Sequence, residues 1–391
     1  ADYSIAMGYN TTASNESSIA IGYGTTASGV RSTAMGSSTT ASGDYSTAMG
    51  SSTTASATSS TAMGYFTEAT EDYSTAMGIS TISDGNSSTA MGRSTTASGD
   101  YSTAMGYNTE ASEQSSFAIG ESTTASGVRS TAMGYDTTAS GDYSTAMGYQ
   151  STASGLLSVA MGDQSTASGE YSTVMGYQSI ASGNYSTAMG RSTIADAPSA
   201  TTMGYDTTAS GDYSTAMGHD TTASATSSTA MGYNTTASGA YSLASGYETT
   251  ASNSNTVALG YNTTASGHAA IAIGFGTTAS GGYTTAAGYD TSAVGTSSTA
   301  MGEETTSNGD ASTAMGYNTT ASDYASLVIG QYNDSGETIT NSATEFNTGN
   351  TAFVIGNGAN ANDKSDAFKV MFNGDTTVSN DLTVSGDVVI S

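Results

Sequence analysis

The chain has 391 residues, of which 10% are charged, and it contains neither cysteine nor tryptophan. Its 33 acidic and 6 basic residues give a net charge of −27, which argues against nucleic-acid binding because phosphate neutralisation needs Lys and Arg. The absence of cysteine excludes disulfide bonds and thiolate metal sites. No stretch approaches the ~20 apolar residues that a helix needs to span a bilayer, so no membrane insertion is expected of this chain.

A glycine recurs every 14 residues, at Gly8, Gly22, Gly36, Gly50 and onward to Gly330. These strict glycines close 24 consecutive repeats, most of which end in a form of S-T-A-M-G. A period this strict is typical of proteins whose repeats stack on one another.

The same pattern predicts three segments along the chain. Residues 1–330 form the repeat domain, residues 331–356 an insertion followed by a final coil, and residues 357–391 a C-terminal β-hairpin segment. The first residue falls within a repeat, so we expect the sequence to be a piece of a longer protein.

One repeat reads as two short strands separated by two turns. In the repeat that begins at Thr39, the strands are predicted at Thr39–Ser42 and Tyr45–Met49, with turns at Gly43-Asp44 and Gly50-Ser51-Ser52. A helix is disfavoured, since each interior glycine costs about 1 kcal/mol. We therefore predict an all-β fold, a parallel β-solenoid or β-roll. With coils about 4.8 Å apart, the repeats would span roughly 115 Å.

The apolar positions of the long strand predict two faces. Thr47 and Met49 lie two residues apart and share one face, and in other repeats they change together, as in Ile19 and Ile21. Ala48 occupies the opposite face. Both faces are apolar, so one lines the interior and the other needs a partner chain. A narrow alanine ladder suits close approach of identical chains, but the sequence does not decide which face points inward.

Tyrosine is the residue type that most suggests a binding surface. Of 25 tyrosines, 13 follow a strict glycine directly and ten lie five residues before one. Stacked tyrosines can brace the edges of the coils, or they can form an aromatic ladder that binds sugar rings or another surface. The candidate ladder contains Tyr9, Tyr45, Tyr65, Tyr101, Tyr107, Tyr143, Tyr205 and Tyr213.

Four arginines are predicted to stack beside tyrosines of neighbouring coils. Each contact would be a cation–π interaction worth ~0.5–1 kcal/mol when exposed. In register, the pairs are Arg31 with Tyr45, Arg93 with Tyr107, Arg129 with Tyr143, and Arg191 between Tyr177 and Tyr205.

The sequence contains no catalytic constellation. The two histidines, His219 and His268, stand alone at variable turn positions. Acidic residues such as Asp44 and Asp100 recur in turns, where turn chemistry is the simpler explanation, and no calcium-binding spacing is present. We expect no enzymatic activity, no cofactor and no metal.

The repeat S-T-A-M-G followed by T-T-A-S-G-D resembles the head repeats of trimeric autotransporter adhesins, the YadA-like family. Ser18–Gly22 and Ala270–Gly274 come closest to the family form S-V-A-I-G. The resemblance covers residues 1–330 and implies a left-handed parallel β-roll, a homotrimer and an extracellular location. It also implies adhesion to a glycan or another host-surface receptor.

The C-terminal residues suggest a second resemblance. Thr351–Gly356 reads as one more coil, and Ala367–Asp375 as a strand followed by an Asn-Gly hairpin turn. Asp381–Ser391 continues the alternation. This run resembles the part of phage tail fibres that precedes a self-cleaving chaperone, which implies a virion surface and a processing site near Ser391.

Four functions therefore remain open at the sequence level. The leading one is an extracellular trimeric fibre for attachment, and the second is a phage receptor-binding tail fibre. A structural filament without a receptor is the third. The fourth is an ice-binding solenoid, suggested by repeated threonine pairs such as Thr39-Thr40.

Overall fold

The computed structural model describes residues 2–385 and forms two compact units, residues 1–199 and 200–391. Each repeat contributes one strand of five residues and one of two residues, and residues 2–385 contain no helix. Turns and short bends connect the strands.

In the first unit the long strands are Ile5–Tyr9, Ile19–Tyr23, Thr33–Ser37, Thr47–Ser51, Thr61–Tyr65, Thr75–Ile79, Thr89–Arg93, Thr103–Tyr107, Phe117–Glu121, Thr131–Tyr135, Thr145–Tyr149, Val159–Asp163, Thr173–Tyr177 and Thr187–Arg191. Its short strands are Thr12–Ala13, Thr26–Ala27, Thr40–Ala41, Thr54–Ala55, Glu68–Ala69, Ile82–Ser83, Thr96–Ala97, Glu110–Ala111, Thr124–Ala125, Thr138–Ala139, Thr152–Ala153, Thr166–Ala167, Ile180–Ala181 and Ile194–Ala195.

In the second unit the long strands are Thr201–Tyr205, Thr215–His219, Thr229–Tyr233, Leu243–Tyr247, Val257–Tyr261, Ile271–Phe275, Thr285–Tyr289, Thr299–Glu303, Thr313–Tyr317 and Leu327–Gln331. Its short strands are Thr208–Ala209, Thr222–Ala223, Thr236–Ala237, Thr250–Ala251, Thr264–Ala265, Thr278–Ala279, Ser292–Ala293, Thr306–Ser307 and Thr320–Ala321. Three more strands follow the repeats, at Thr351–Asn357, Asp366–Met371 and Thr376–Val378.

Within each unit, a strand pairs in parallel with the equivalent strand one repeat away. Thr47 faces Thr61 and Met49 faces Met63, so identical positions of successive repeats stack into columns. The short strands pair in the same register. This confirms the predicted parallel β-solenoid.

The predicted strand bounds within a repeat are partly wrong. The structure shortens the first strand to Thr40–Ala41 and shifts the second to Thr47–Ser51, which takes Gly50 and Ser51 out of the predicted turn. The turns centre instead on Tyr45 and Ser52, which have φ values of 60° and 53°. A residue in this left-handed region cannot continue a strand, so it sets the strand ends.

The strict glycines are required by their backbone conformation. Gly50 has a φ of 124°, and a Cβ atom added there would lie 2.0 Å from the carbonyl oxygen of Gly64. A Cβ atom added at the second glycine of the repeat, Gly43, would come equally close to the next coil, but Gly43 lies outside the positive-φ set and Ala57 takes its place one coil later. The positive φ therefore explains why only the first glycine never varies.

The interior of each coil is filled by small side chains. Ala48 and Ala55 are fully buried, and the side chains of Ser46 and Thr53 are at most 1% exposed. The hydroxyl of Ser46 donates a hydrogen bond to the carbonyl oxygen of Gly43 at 2.7 Å. Two thin sheets this close together leave room only for small side chains, which are alanine, serine and threonine in most coils and valine at Val174 and Val328.

The burial pattern decides which face of the long strand points inward. Ala48 lines the interior, whereas Thr47 and Met49 are only half-buried on the outer face. The expectation that the alanine ladder brings identical chains together is therefore wrong, because alanine is used to close each coil. The face left without a partner in a single chain is the one that carries threonine and methionine.

The end of the repeat array is covered by the C-terminal strands. Thr351–Asn357 pairs in parallel with Leu327–Gln331 and antiparallel with Asp366–Met371, which pairs with Thr376–Val378. Thr351–Asn357 thus adds one strand to the stack, and the predicted C-terminal hairpin is confirmed, with Gly374 in the hairpin turn at a φ of 94°. The predicted extension beyond residue 385, including Ser391, lies outside the described residues.

Buried polar side chains hold the insertion against the last coils. The side chain of Asn333 bonds both the N–H and the carbonyl of Thr320, each at 2.9 Å. The carboxylate of Asp323 accepts the N–H groups of Thr340 at 2.6 Å and Thr351 at 2.8 Å. These bonds cover strand edges that would otherwise expose unpaired backbone groups.

Candidate functional site

The outer face of the long strands carries three columns of side chains. We call them the threonine column (three residues before each strict glycine), the methionine column (one before) and the ring column (one after). In one coil they are Thr145, Met147 and Tyr149, and Tyr149 is 44% exposed. The threonine and methionine columns together form what we call the strand face, and the ring column runs along its edge.

The first seven positions of the ring column in the second unit form an unbroken stack of aromatic side chains, which ends before Glu303. Neighbouring ring centroids are 4.7–5.0 Å apart and the ring planes differ by 2–17°. Spacing and angle both follow from the strand separation of ~4.8 Å. The stack consists of Tyr205, His219, Tyr233, Tyr247, Tyr261, Phe275 and Tyr289.

In the first unit the ring column is interrupted. Tyr9 stacks on Tyr23 at 5.2 Å, and Tyr65 packs edge-on against Phe66 at 4.3 Å. Tyr107 lies against Arg93 instead.

Stacking determines what the ring column can do. Rings in a stack use their faces on one another and leave edges and hydroxyls to solvent. A sugar ring that binds an aromatic side chain needs a free face, so this geometry favours bracing of the coils as the role of the ring column.

His219 corrects the interpretation that both histidines stand alone in turns. It ends the strand Thr215–His219 and stacks between Tyr205 at 4.7 Å and Tyr233 at 4.9 Å. Its Nδ1 lies 3.0 Å from the carboxylate of Asp220. His268 does lie in a turn, packed edge-on against Tyr283. Aligning the sequence by its 14-residue period would have placed His219 in the aromatic column.

Breaking the stack should lower stability. Tyr247 stacks on two neighbours, so Tyr247→Ser is expected to cost about 1–3 kcal/mol, at 0.5–1.5 kcal/mol per contact. Serine already occupies this column at Ser37 and Ser51, so the backbone tolerates it. Thermal unfolding followed by circular dichroism measures the effect. Tyr241→Ser, at an exposed turn position, is the matched control, and an equal loss in both variants would contradict a stabilising stack.

A second set of tyrosines lies at the corners of the coils. We call the position five residues before each strict glycine the corner column. Tyr45, Tyr101, Tyr143 and Tyr213 occupy it, all with φ near 60° and 46–66% exposed. These rings have more free surface than those of the ring column.

Arginine side chains cover some of the tyrosines. The Cζ atom of Arg31 lies 5.6 Å from the ring centroid of Tyr45, and its Nη1 donates to the Tyr45 hydroxyl at 3.4 Å. The other Cζ-to-centroid distances are 5.5 Å for Arg93 and Tyr107, 5.4 Å for Arg129 and Tyr143, and 5.5 Å for Arg191 and Tyr177.

The acidic residues of the turns tie successive coils together. Oδ1 of Asp44 accepts the N–H of Val30 at 2.8 Å, and Oδ1 of Asp142 accepts that of Val128 at 2.9 Å. Among residues 2–385, no group of three or more His, Asp or Glu side chains could hold a metal ion. These carboxylates therefore serve the turns themselves.

Two tyrosines have raised pKa values. A hydrogen bond with the side chain of Tyr332 raises the pKa of Tyr317 to about 12, and the negative charge of Glu248 raises the pKa of Tyr247. Each phenol holds its proton more tightly in the folded than in the unfolded chain. Their contribution to stability is therefore complete below pH 10 and is lost as the pH rises towards about 12.

We therefore expect the melting temperature to fall between about pH 10 and pH 12, and to fall less steeply in Tyr317→Phe. Thermal melts across this range measure both slopes. Equal slopes in the two proteins would contradict the assignment to Tyr317.

The stacked 14-residue coils, the strict glycine and the two-faced strand define a parallel β-solenoid of the repeat-protein class. A family model for the YadA head domain repeat matches the chain in overlapping or adjacent segments from residues 1–25 to 307–333. The chain therefore belongs to the YadA head repeat family. No curated protein matches it. Among residues 2–385, no helix is long and apolar enough to cross a membrane.

Proposed function

We propose that this chain forms the head of an extracellular homotrimeric fibre that attaches a cell to a surface or host. The observation that carries the proposal is the strand face, which runs along each unit without a partner in the single chain. A continuous apolar surface of this kind is a liability unless another molecule covers it.

Charge supports the assignment of the strand face to an interface between copies. The chain carries 39 charged side chains, yet neither the threonine nor the methionine column contains one in any repeat. The outward column of the short strands does contain acids, at Glu68 and Glu110. Depletion of charge is typical of the core of a protein interface, and methionine packs adaptably there.

Sedimentation equilibrium of the purified chain tests the assembly, and the expected mass is that of three copies. Adhesion is tested with beads coated with native chain and beads coated with heat-unfolded chain, applied to host cells. A folded monomer would overturn the trimer, and equal retention of both bead types would overturn specific attachment.

A phage receptor-binding tail fibre is the second candidate, favoured by the strands Thr351–Asn357, Asp366–Met371 and Thr376–Val378 that follow the repeats. Antibody labelling in electron micrographs separates the two, since label would appear on virions rather than on cell surfaces.

The remaining candidates are a filament without a receptor and an ice-binding solenoid. In the threonine pairs equivalent to Thr39-Thr40, from Thr25-Thr26 onward, the first residue is buried and only the second faces outward. A flat surface of paired threonines therefore does not form there, which weighs against ice binding. A thermal-hysteresis measurement tests it directly.

A further inference from the structure

The corner column of the first unit has a regular alternation. From the fourth repeat it reads Tyr45, Ser59, Tyr73, Ser87 and Tyr101, so a tyrosine occurs in every second coil. The side chains of Tyr73 and Tyr101 are 62% and 60% exposed. Two strand spacings separate neighbouring tyrosines, or about 9.6 Å.

The backbone of each of these tyrosines is bonded to the coil before it. The tyrosine N–H donates to the carbonyl of one residue in that coil, and the N–H of the same residue donates to the aspartate that precedes the tyrosine. These two hydrogen bonds fix the backbone of the corner. The N–H groups of Tyr45, Tyr73 and Tyr101 donate to the carbonyls of Val30, Thr58 and Asn86 at 2.8, 2.9 and 2.8 Å. Oδ1 of Asp44, Asp72 and Asp100 accepts the N–H groups of the same three residues at 2.8, 2.9 and 3.0 Å.

Corner-column rings that have a ring or a guanidinium one coil away turn their faces along the direction in which coils stack. Tyr171 and Tyr185, one coil apart, stack at 5.0 Å with planes 7° apart. Tyr45 likewise presents a face to Arg31 in the coil before it. In the same orientation, the tyrosines on either side of Ser59 and of Ser87 would face each other across a gap the thickness of one ring.

We propose that the gaps over Ser59 and Ser87 are binding slots for the terminal hexose of a neutral glycan. A six-membered ring that enters edge-on lies about 4.8 Å from the tyrosine ring on either side, within the range of favourable ring contacts. The sugar ring then occupies the position that a tyrosine ring would have in an unbroken stack.

The neighbouring groups define the class of sugar. Only Oδ1 of Asp44, Asp72 and Asp100 is used by the backbone, which leaves Oδ2 as an acceptor for sugar hydroxyls. These carboxylates, on a chain with a net charge of −27, repel sialylated or other acidic sugars. Two neighbouring slots in the first unit also favour a branched glycan with two neutral ends.

The inference rests on the proposed attachment function and names its ligand class. The probes are albumin carrying terminal mannose, galactose or glucose, albumin carrying sialic acid, and unmodified albumin, measured by biolayer interferometry. We expect the chain to bind at least one neutral glycoconjugate and neither of the other two.

Two sets of variants test the slots. Replacing Tyr45, Tyr73 and Tyr101 by serine removes the slot walls and should weaken binding at least about tenfold. Ser59→Tyr with Ser87→Tyr fills the two slots of the first unit and should weaken binding at least about tenfold while raising the melting temperature. Binding is not expected to vanish, because Ser227 lies in the same way between the exposed Tyr213 and Tyr241. Both changes use residues already found in this column, so the coils should remain folded. The control replaces three ring-column tyrosines, Tyr65, Tyr135 and Tyr149, by serine and should leave binding within about twofold of the unmodified chain.

Binding of unmodified or sialylated albumin alone, absence of all binding, or unchanged binding in either slot variant would overturn the inference. The proposed function fails separately, through a folded monomer or through loss of specific adhesion by coated beads. If the variant with serine at positions 45, 73 and 101 still mediates bead adhesion, the glycan-slot proposal is wrong and the proposed attachment function is retained.

Discussion

Substitution of Gly148 by alanine is expected to disrupt the solenoid around that coil. Gly148 has a φ of 118°, and an added Cβ atom would lie 1.9 Å from the carbonyl oxygen of Gly162. Both the left-handed backbone and the contact with backbone atoms oppose any side chain, at a cost of about 3 kcal/mol or more. Urea unfolding followed by circular dichroism measures the loss, and limited proteolysis locates it.

The second glycine of the same coil provides the matched control. An added Cβ atom at Gly155 would also lie 2.0 Å from a backbone atom, the carbonyl oxygen of Gly169, but Gly155 lies outside the positive-φ set. Alanine occupies the equivalent position at Ala57, Ala197 and Ala225, so the backbone there can shift to admit a Cβ atom. Gly155→Ala is therefore expected to change stability by about 1 kcal/mol or less. If the two substitutions have equal effects, the distinction between the glycines is wrong.

Acidic residues in the methionine column are expected to dissociate the proposed trimer into monomers. Replacing Met133, Met147 and Met161 by glutamate places three carboxylates of each chain in an apolar interface, where unpaired charge costs several kcal/mol each. The coils should remain folded, because this column lies outside the core. Sedimentation velocity measures assembly, and circular dichroism checks folding.

The control for this prediction uses the outward column of the short strands. Thr124→Glu, Thr138→Glu and Thr152→Glu add the same charge to a column where Glu68 and Glu110 already occur. This variant should assemble like the unmodified chain. If it dissociates as well, or if the methionine variant stays trimeric, the strand face is not the interface.

Most of the fold could be predicted from the 14-residue period. Because the strict glycine recurs at the same spacing throughout, equivalent positions of successive repeats were expected to stack, and so were the arginines and the tyrosines one coil away. The final coil at Thr351 and the turn at Gly374 were equally readable, from the recurrence of the repeat and from the Asn-Gly pair.

The orientation of the strand could not be read in the same way. Ala48 and Met49 are both apolar, and a hydrophobic pattern alone does not say which one fits a narrow interior. The answer depends on the distance between the two sheets, which admits alanine but not methionine.

The strand ends were misplaced for a local reason. Ser52 and Tyr45 have positive φ, yet neither serine nor tyrosine is a residue type that predicts a positive φ. Their backbone N–H groups bond the coil before, at 2.9 Å to Ser37 and 2.8 Å to Val30, so contacts between coils impose what the local sequence does not.

The roles of the tyrosines also depended on geometry. A count of tyrosines treats Tyr247 and Tyr73 alike, but Tyr247 has neighbours on both faces and Tyr73 lies between two serines. Only the ring-to-ring distances separate a column that braces the coils from one with open faces.

The central claim is that the strand face of each chain is covered by other copies. In a single chain, Met133, Met175 and Met301 are 37%, 38% and 44% exposed, enough for hydrogen peroxide to reach their sulfur atoms. Peptide mass spectrometry after timed peroxide treatment, in native buffer and in urea, measures the rate at which each becomes sulfoxide. We predict that these methionines oxidise at least about tenfold more slowly in the native assembly. If these methionines oxidise as fast in the folded chain as in urea, the strand face is not covered by other copies.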